Sequence, residues 1–143
     1  LHAAPHGVFP SKGDDEWVAI AVTSDDEWRS FRQALGEPEW AKARELHTLA
    51  GRKQRENDLE AHIAEWTCTR TKHEATRLLQ SAGVPAGPVL LPGEVVDEDP
   101  QLRAREFLKV IDHEILGPFG HQVPPCKLSG TPARPTPALT PRT

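Results

Sequence analysis

The chain has 143 residues, 37% of them hydrophobic and 27% charged, with a net charge of −4 at pH 7. This composition predicts an ordinary globular domain with one core, and the acidic balance gives no basic field that would attract a nucleic acid. The sequence has no apolar run of the ~20 residues that a membrane span needs and no signal-peptide pattern, so we expect a cytoplasmic protein without a nucleic-acid or membrane partner.

The number and spacing of the cysteine, histidine and methionine residues limit the possible kinds of site. Cys68 and Cys126 lie far apart with no Cys-x-x-Cys pair, which predicts two reduced thiols rather than a zinc site or a disulfide framework. The seven histidines show neither His-x-His nor His-Glu-x-x-His spacing, so no metal site is expected. Methionine is absent even at position 1, which predicts a fragment or a chain whose start was removed.

The first elements in chain order are two short strands, predicted at residues 7–12 and 16–23 around a Lys-Gly-Asp-Asp turn. Alternate positions of the second strand are apolar on both faces, which is typical of an interior strand. Ser24 and Glu27 have the spacing of a capping box and begin a helix, and a poorer helix is predicted near residues 40–46.

Two longer helices are predicted in the middle of the chain. Residues 52–66 have the pattern of an amphipathic surface helix, with Arg52 on its polar side. Thr71 and Glu74 form a second capping box, and the helix that they begin ends at Gly83.

Residues 83–89 (GVPAGPV), which we call the Gly-Pro run, contain two glycines and two prolines, which end this helix and prevent a return to helical geometry. Gly83 occupies the position where a helix C-terminus takes a left-handed residue, and Gly87 leaves bare backbone that can line a pocket. A tight helix-to-strand connection without a pocket is the alternative interpretation.

The remaining elements are short. The pattern predicts helical turns at residues 93–98 and 99–105, a strand at 107–112 and an extended segment at 121–128. The proline-rich residues 133–143 predict an extended or disordered arm. Together the elements favour an α+β fold over residues 1–132: a small two-layer domain in which the N- and C-terminal strands form one short antiparallel sheet beside a central group of helices.

One cluster of titratable residues invites interpretation as an acid–base set: Asp112, His113 and Glu114. Alternate residues of a strand face opposite sides, so His113 is directed away from both carboxylates. We therefore predict that the three residues do not form a catalytic triad.

Several segments, taken in order, resemble one family. They are residues 5–10 (PHGVFP), 17–22 (WVAIAV), 34–36 (ALG), 82–89 (AGVPAGPV), 99–105 (DPQLRAR) and 110–113 (VIDH). The series is similar to the small domain of the class III CoA-transferases, the group that includes formyl-CoA transferase and the α-methylacyl-CoA racemases. The resemblance extends from about residue 5 to residue 132.

This resemblance implies a parent activity, the transfer of CoA between carboxylic acids, in which an aspartate of a separate large domain attacks an acyl-CoA thioester. No residue of the chain matches that aspartate, so we expect an inactive domain that binds no cofactor tightly and takes a coenzyme A thioester as its ligand. The implied partners are the missing large domain and a second copy in a homodimer. Two alternatives stay open: an acyl-CoA racemase parent, and a non-catalytic module that binds acyl-CoA or another protein.

The resemblance also implies which residues line the acyl pocket. One segment aligns with a glycine-rich loop that covers the active site, and the Gly-Pro run corresponds to a turn beside the acyl group. The pocket-wall residues so implied are Pro5, His6, Gly7, Gly83, Val84, Pro85, Ala86, Gly87 and Pro88. The family's successive glycines are replaced here by Ala3, Ala4, Pro5 and His6, so neither a mobile glycine lid nor oxalate-type specificity is expected.

Overall fold

The computed structural model describes residues 2–132 of the chain. The chain divides into two compact units, one up to Val89 and one from Leu90 onward. Helices and two small antiparallel sheets give an α+β fold, which confirms the predicted class. The predicted arm at 133–143 lies outside the described residues, and the domain boundary after residue 132 stays a prediction.

The first unit is built on a three-stranded antiparallel sheet. Its strands are β1 (His6–Pro10), β2 (Trp17–Ala21) and β3 (Ala86–Val89). β2 lies between the other two strands, as its two apolar faces predict.

The origin of the third strand differs from the prediction. We expected the C-terminal strands to join the N-terminal hairpin, but the Gly-Pro run supplies β3, and the C-terminal strands form a separate two-stranded sheet. The sequence did not predict β3, because Pro85 and Pro88 lie in or next to it and proline disfavours strands in the interior of a sheet. The backbone N–H of Ala21 donates to the Pro85 carbonyl at 3.0 Å, so by alternation the imide nitrogen of Pro88 points away from β2, where no ladder bond is lost.

The helices of the first unit follow the predicted order with different breaks. They are α1 (Asp25–Ala34), α2 (Leu49–Gln54), α3 (Glu56–Cys68) and α4 (Lys72–Ser81), with 3₁₀ turns at Glu39–Lys42 and Arg44–His47. The single helix predicted over 52–66 is broken at Arg55, whose φ and ψ are −114° and 29°. Gly51 in α2 is required by close approach, since a Cβ there would lie 1.7 Å from the carbonyl oxygen of Glu45.

Side chains cap both predicted helix starts. The Ser24 hydroxyl accepts from the backbone N–H of Glu27 at 3.1 Å, but the Glu27 carboxylate accepts from the N–H of Thr23 instead of closing the box on Ser24. At α4 the reciprocal box is complete, with Thr71 and Glu74 each accepting from the other's backbone N–H. The first capping box is therefore found in altered form and the second as predicted.

The core of the first unit lies between the helices and one face of the sheet. Its largest fully buried apolar side chains are Val18, Ile20, Val22, Trp28, Phe31, Leu59, Ile63, Leu79 and Val84. Each such side chain contributes about 1.5–3 kcal/mol through burial, so this layer provides most of the unit's favourable free energy of folding.

The second unit contains α5 (Pro92–Asp97), α6 (Pro100–Ala104) and a hairpin of β4 (Leu108–His113) and β5 (Gly117–Gln122). The last strand therefore begins earlier than the extended segment predicted at 121–128. No helix in the described part of the chain has the length and apolar character needed to cross a membrane.

Candidate functional site

The structure brings the two predicted wall segments together on either side of β2. In the sheet register Gly7 lies opposite Ile20, and Ile20 lies opposite Ala86, so one row joins β1 to the Gly-Pro run. A shallow open groove of ≈ 450 Å³ lies along these strands, and we call it the sheet groove. The predicted wall residues that line it are His6, Gly7, Pro85, Ala86 and Gly87.

Four lining residues were not predicted: Val8, Ala19, Ile20 and Ala21. Ala19 and Ala21 belong to the face of β2 opposite the core, where their small side chains leave space above the backbone. Their alternation in the sequence predicts that both side chains lie on one face of β2, but it does not predict which strands pair with β2.

The other predicted wall residues do not line the sheet groove. Pro5 and Val84 are fully buried. Gly83 ends α4 with a φ of +79°, which fulfils its predicted role as a helix terminator. Pro88 pairs with the core residue Val18 and so lies on the core-facing side of the sheet.

The exposed face of this sheet is apolar both in the groove, where Val8 lies, and beyond it, where Trp17 and Val89 lie. Val8, Trp17 and Val89 are 55%, 38% and 39% exposed, although all three are large apolar residues. The indole N–H of Trp17 donates to the Asp15 carboxylate at 2.8 Å, which fixes the orientation of the ring at one end of the face. Apolar residues on the open face of an antiparallel sheet indicate a surface that another molecule covers.

The chemistry available in the sheet groove is limited. Of its lining residues His6 alone is titratable, and none offers a carboxylate, a thiol or a hydroxyl. The groove can supply apolar contact, backbone groups and one imidazole, but no carboxylate for attack on a thioester.

Arg52 holds the chain that leads into β1, and here the sequence prediction was wrong. The side chain is fully buried rather than on the polar surface of a helix. Its guanidinium donates to the carbonyl oxygens of Ala4 and Leu46 at 2.7 and 3.0 Å and to the Asp25 carboxylate at 2.9 Å. The signal in the sequence was the position of Arg52 seven residues before Leu59, on the apolar stripe.

A second buried cation holds the opposite end of the sheet. The Lys72 side chain is only 3% exposed, and its Nζ lies 2.8 Å from the Glu16 carboxylate at the end of the β-hairpin turn. The same Nζ donates to the Val89 carbonyl at 3.2 Å, at the end of β3. The two cations thus connect the sheet to α2 and α4.

The remaining sequence candidates have structural roles. His113 accepts through Nδ1 from the backbone N–H groups of Ile115 and Leu116 at 3.1 and 3.3 Å, so the ring organises the β4–β5 turn. Cys68 and Cys126 are both free and exposed. Across residues 2–132, no group of three or more His, Cys, Asp or Glu side chains is placed to hold a metal ion.

Comparison with known proteins gives a consistent result. A family model described as CoA-transferase family III matches residues 1–143. The probable CoA-transferase Rv1866 of Mycobacterium tuberculosis is 40% identical over 111 residues, which are 78% of this chain and 14% of that protein. The formyl-CoA:oxalate CoA-transferases of Rhodopseudomonas palustris and Bradyrhizobium diazoefficiens are each 34% identical over 90% of this chain and 31% of their own length.

Solved structures have the same fold. Rv3272 of Mycobacterium tuberculosis superposes with a TM-score of 0.77 at 18% identity, covering 94% of this chain and 37% of that one. A CAIB/BAIF family protein from Brucella suis gives a TM-score of 0.74 at 26% identity, covering 92% of this chain and 32% of that one. The chain thus spans about a third of these structures and of the formyl-CoA:oxalate CoA-transferases.

Proposed function

Because this chain belongs to CoA-transferase family III, we propose that it acts as the small domain of a CoA-transferase and lines part of the pocket in which CoA passes between carboxylic acids. The observation that carries the proposal is the meeting of β1 and the Gly-Pro run on one apolar groove. The relatives named above are CoA-transferases, which favours CoA transfer over racemisation of the acyl group.

In this proposal the domain binds and orients but does not attack. The acyl part of an acyl-CoA thioester lies on the small residues Ala19, Ala21 and Gly87, which leave space for it. His6 is the one lining side chain able to donate a hydrogen bond to a carbonyl oxygen. The carboxylate that forms the covalent intermediate comes from another polypeptide segment, since the sheet groove contains none.

The open sheet face supports a protein-binding role in the same assembly. Val8, Trp17 and Val89 form an apolar surface without the polar alternation of a solvated sheet face. We infer that the large domain of a CoA-transferase covers it. A homodimer through the same face is the alternative, and sedimentation of the chain at high concentration distinguishes the two, because a persistent monomer contradicts self-association.

The test of the ligand role is calorimetric titration of the chain with acetyl-CoA and with longer acyl-CoA thioesters. Gly87→Val places a branched side chain in the sheet groove, and no atom lies within 4 Å of the new Cβ. Gly120→Val is the matched control, because Gly120 also lies on a strand with open space at its Cβ but outside the groove. We expect Gly87→Val to weaken binding at least about tenfold and Gly120→Val to leave it unchanged.

Two results would overturn the proposal. Absence of heat with every acyl-CoA contradicts the binding role of the groove. Transfer of CoA to an added carboxylic acid by the unaided chain contradicts the assignment of the nucleophile to another segment.

A further inference from the structure

The second unit contains a groove of its own, with a volume of ≈ 210 Å³. It lies between the residues that follow α6 and the segment after β5, and we call it the basic groove. Phe107, Leu128 and the prolines Pro124, Pro125 and Pro132 form its apolar part. The proposed CoA transfer assigns it no role.

Positive charge is concentrated at this groove. Residues 90–132 contain seven acidic residues and four basic ones, so this part of the chain is acidic on balance. Three of the four basic side chains, Arg105, Lys109 and Lys127, nevertheless line the basic groove. Glu106 is its one acidic lining residue, and its carboxylate lies 3.8 Å from Lys109. The groove therefore has a positive local charge within an acidic unit.

The backbone holds the cationic and aromatic sides of the groove together. The chain leaves α6 through Glu106, whose φ of 54° lies in the left-handed region that non-glycine residues rarely adopt. Arg105 and Phe107, on either side of it, both line the groove. The Arg105 guanidinium donates to the Pro125 carbonyl at 3.0 Å, which joins the two walls and uses one of its five N–H donors. The positive φ of Glu106 belongs to the end of α6, where the N–H groups of Glu106 and Phe107 donate to the carbonyls of Arg103 and Leu102.

We propose that the basic groove binds a small organic anion. Its carboxylate or phosphate group contacts Arg105, Lys109 and Lys127, and its apolar body packs against Phe107 and the prolines. Guanidinium and ammonium groups are the usual partners of both kinds of anion. A cavity of ≈ 210 Å³ is smaller than the sites that hold drug-sized ligands, so the groove suits a small acid or a monophosphate.

The two cysteines provide a direct test. Cys126 lines the basic groove, whereas Cys68 lies in the first unit, and both thiols are free and exposed. The rates of alkylation by anionic iodoacetate and by neutral iodoacetamide are measured at each thiol by mass spectrometry. We expect the iodoacetate-to-iodoacetamide rate ratio to be at least about threefold higher at Cys126 than at Cys68 in low salt, and the difference to fall as salt is added.

Protection by ligands identifies the anion. Benzoate, phenyl phosphate, inorganic phosphate and neutral benzamide serve as probes against iodoacetamide labelling of the native chain. We expect benzoate or phenyl phosphate to slow labelling of Cys126 but not of Cys68, benzamide to have no effect, and inorganic phosphate to protect less than phenyl phosphate. Which of the two aromatic anions protects better distinguishes a carboxylate from a phosphate ligand.

Variants distinguish an effect of the groove's own cations from an effect of charge elsewhere in the unit. Lys127→Ala and Lys109→Ala should each reduce protection at least about threefold. Arg103→Ala is the matched control, since Arg103 lies outside the groove and donates to the Asp97 carbonyl. Equal reagent ratios at the two thiols, or no protection by any anion of the native chain, would overturn the proposal without bearing on CoA transfer.

Discussion

At the scale of single residues, Arg52 shows how a buried charge can be accommodated. Two backbone carbonyls and one carboxylate accept from the guanidinium, whose carbon lies 5.3 Å from the centre of the Trp28 ring. These charge-assisted hydrogen bonds and the aromatic face offset the cost of removing the charge from water. The result is a fixed path for the residues that precede β1 and its groove.

Replacing Arg52 tests this role. Arg52→Met keeps much of the side-chain length but leaves the carbonyls of Ala4 and Leu46 buried without their donor. We expect the free energy of unfolding to fall by about 2–5 kcal/mol, measured by urea denaturation followed through tryptophan fluorescence. Asp25→Asn is the control, because the Asp25 side chain is 55% exposed and keeps an acceptor oxygen, so it should cost less than about 1 kcal/mol. Equal losses in the two variants would contradict a dominant role for the buried carbonyl contacts.

At the scale of elements, α4 both supports and protects the edge of the sheet. Gln80 of α4 donates to the Ala86 carbonyl at 2.8 Å, and Lys72 donates to the carbonyl of Val89. Pro88 has no N–H to present to another strand. Since an exposed edge invites pairing with a further strand, Gln80 and Pro88 make β3 a poor template for aggregation.

The capping box of α4 makes part of the stability depend on pH. The hydrogen bond from the backbone N–H of Thr71, reinforced by the Thr71 hydroxyl, holds the pKa of the Glu74 carboxyl below its ordinary value. A carboxyl whose pKa is lowered by folding stabilises the protein above the pKa of the unfolded chain. This stabilisation is lost as the pH falls through the lowered pKa of the folded state.

We therefore expect Glu74→Gln to be less stable than the native chain at neutral pH, with a difference that shrinks as the solution is acidified. Urea unfolding measured along an acid series gives this difference directly. Glu60→Gln on α3 is the control, because it makes the same substitution at a carboxylate outside any capping box. A Glu74→Gln difference that is constant from neutral to acidic pH would contradict the role of the ionised cap.

At the scale of the whole molecule, the two units differ in how much apolar surface they bury. The hydrophobic core cluster lies entirely in the first unit. Of residues 90–132, Ile111 alone is buried, while Val110, Ile115 and Leu116 are each more than 70% exposed. A two-stranded sheet with so little buried surface is marginally stable by itself.

Hydrogen–deuterium exchange of the native chain tests this difference. We expect the ladder amides of β4 and β5 to exchange at least about tenfold faster than those of β1 and β2, because the hairpin opens at a lower free-energy cost. The β1–β2 amides in the same sample are the internal reference. Equal protection of the two sheets would show that the second unit is stabilised by more than its own buried residues.

Much of the local structure followed from the sequence because it depends on short-range chemistry. The Thr71–Glu74 box, the left-handed Gly83 and the interior character of β2 each depend on residues close together in the chain. The family resemblance likewise rested on short ordered segments. The sequence therefore determined the α+β class, most helix starts and the family.

The tertiary structure alone decided which distant segments meet. Pairing of β2 with the Gly-Pro run, burial of Arg52 and Lys72, and the separation of β4 and β5 into a sheet of their own are long-range outcomes. Local propensity predicts prolines in turns and cations at the surface. Tertiary contacts outweigh it here, because Pro88 occupies an edge position that needs no N–H and because Arg52 and Lys72 donate to backbone carbonyls. Such compensation depends on contacts between residues far apart in the chain, which a pattern of neighbours does not contain.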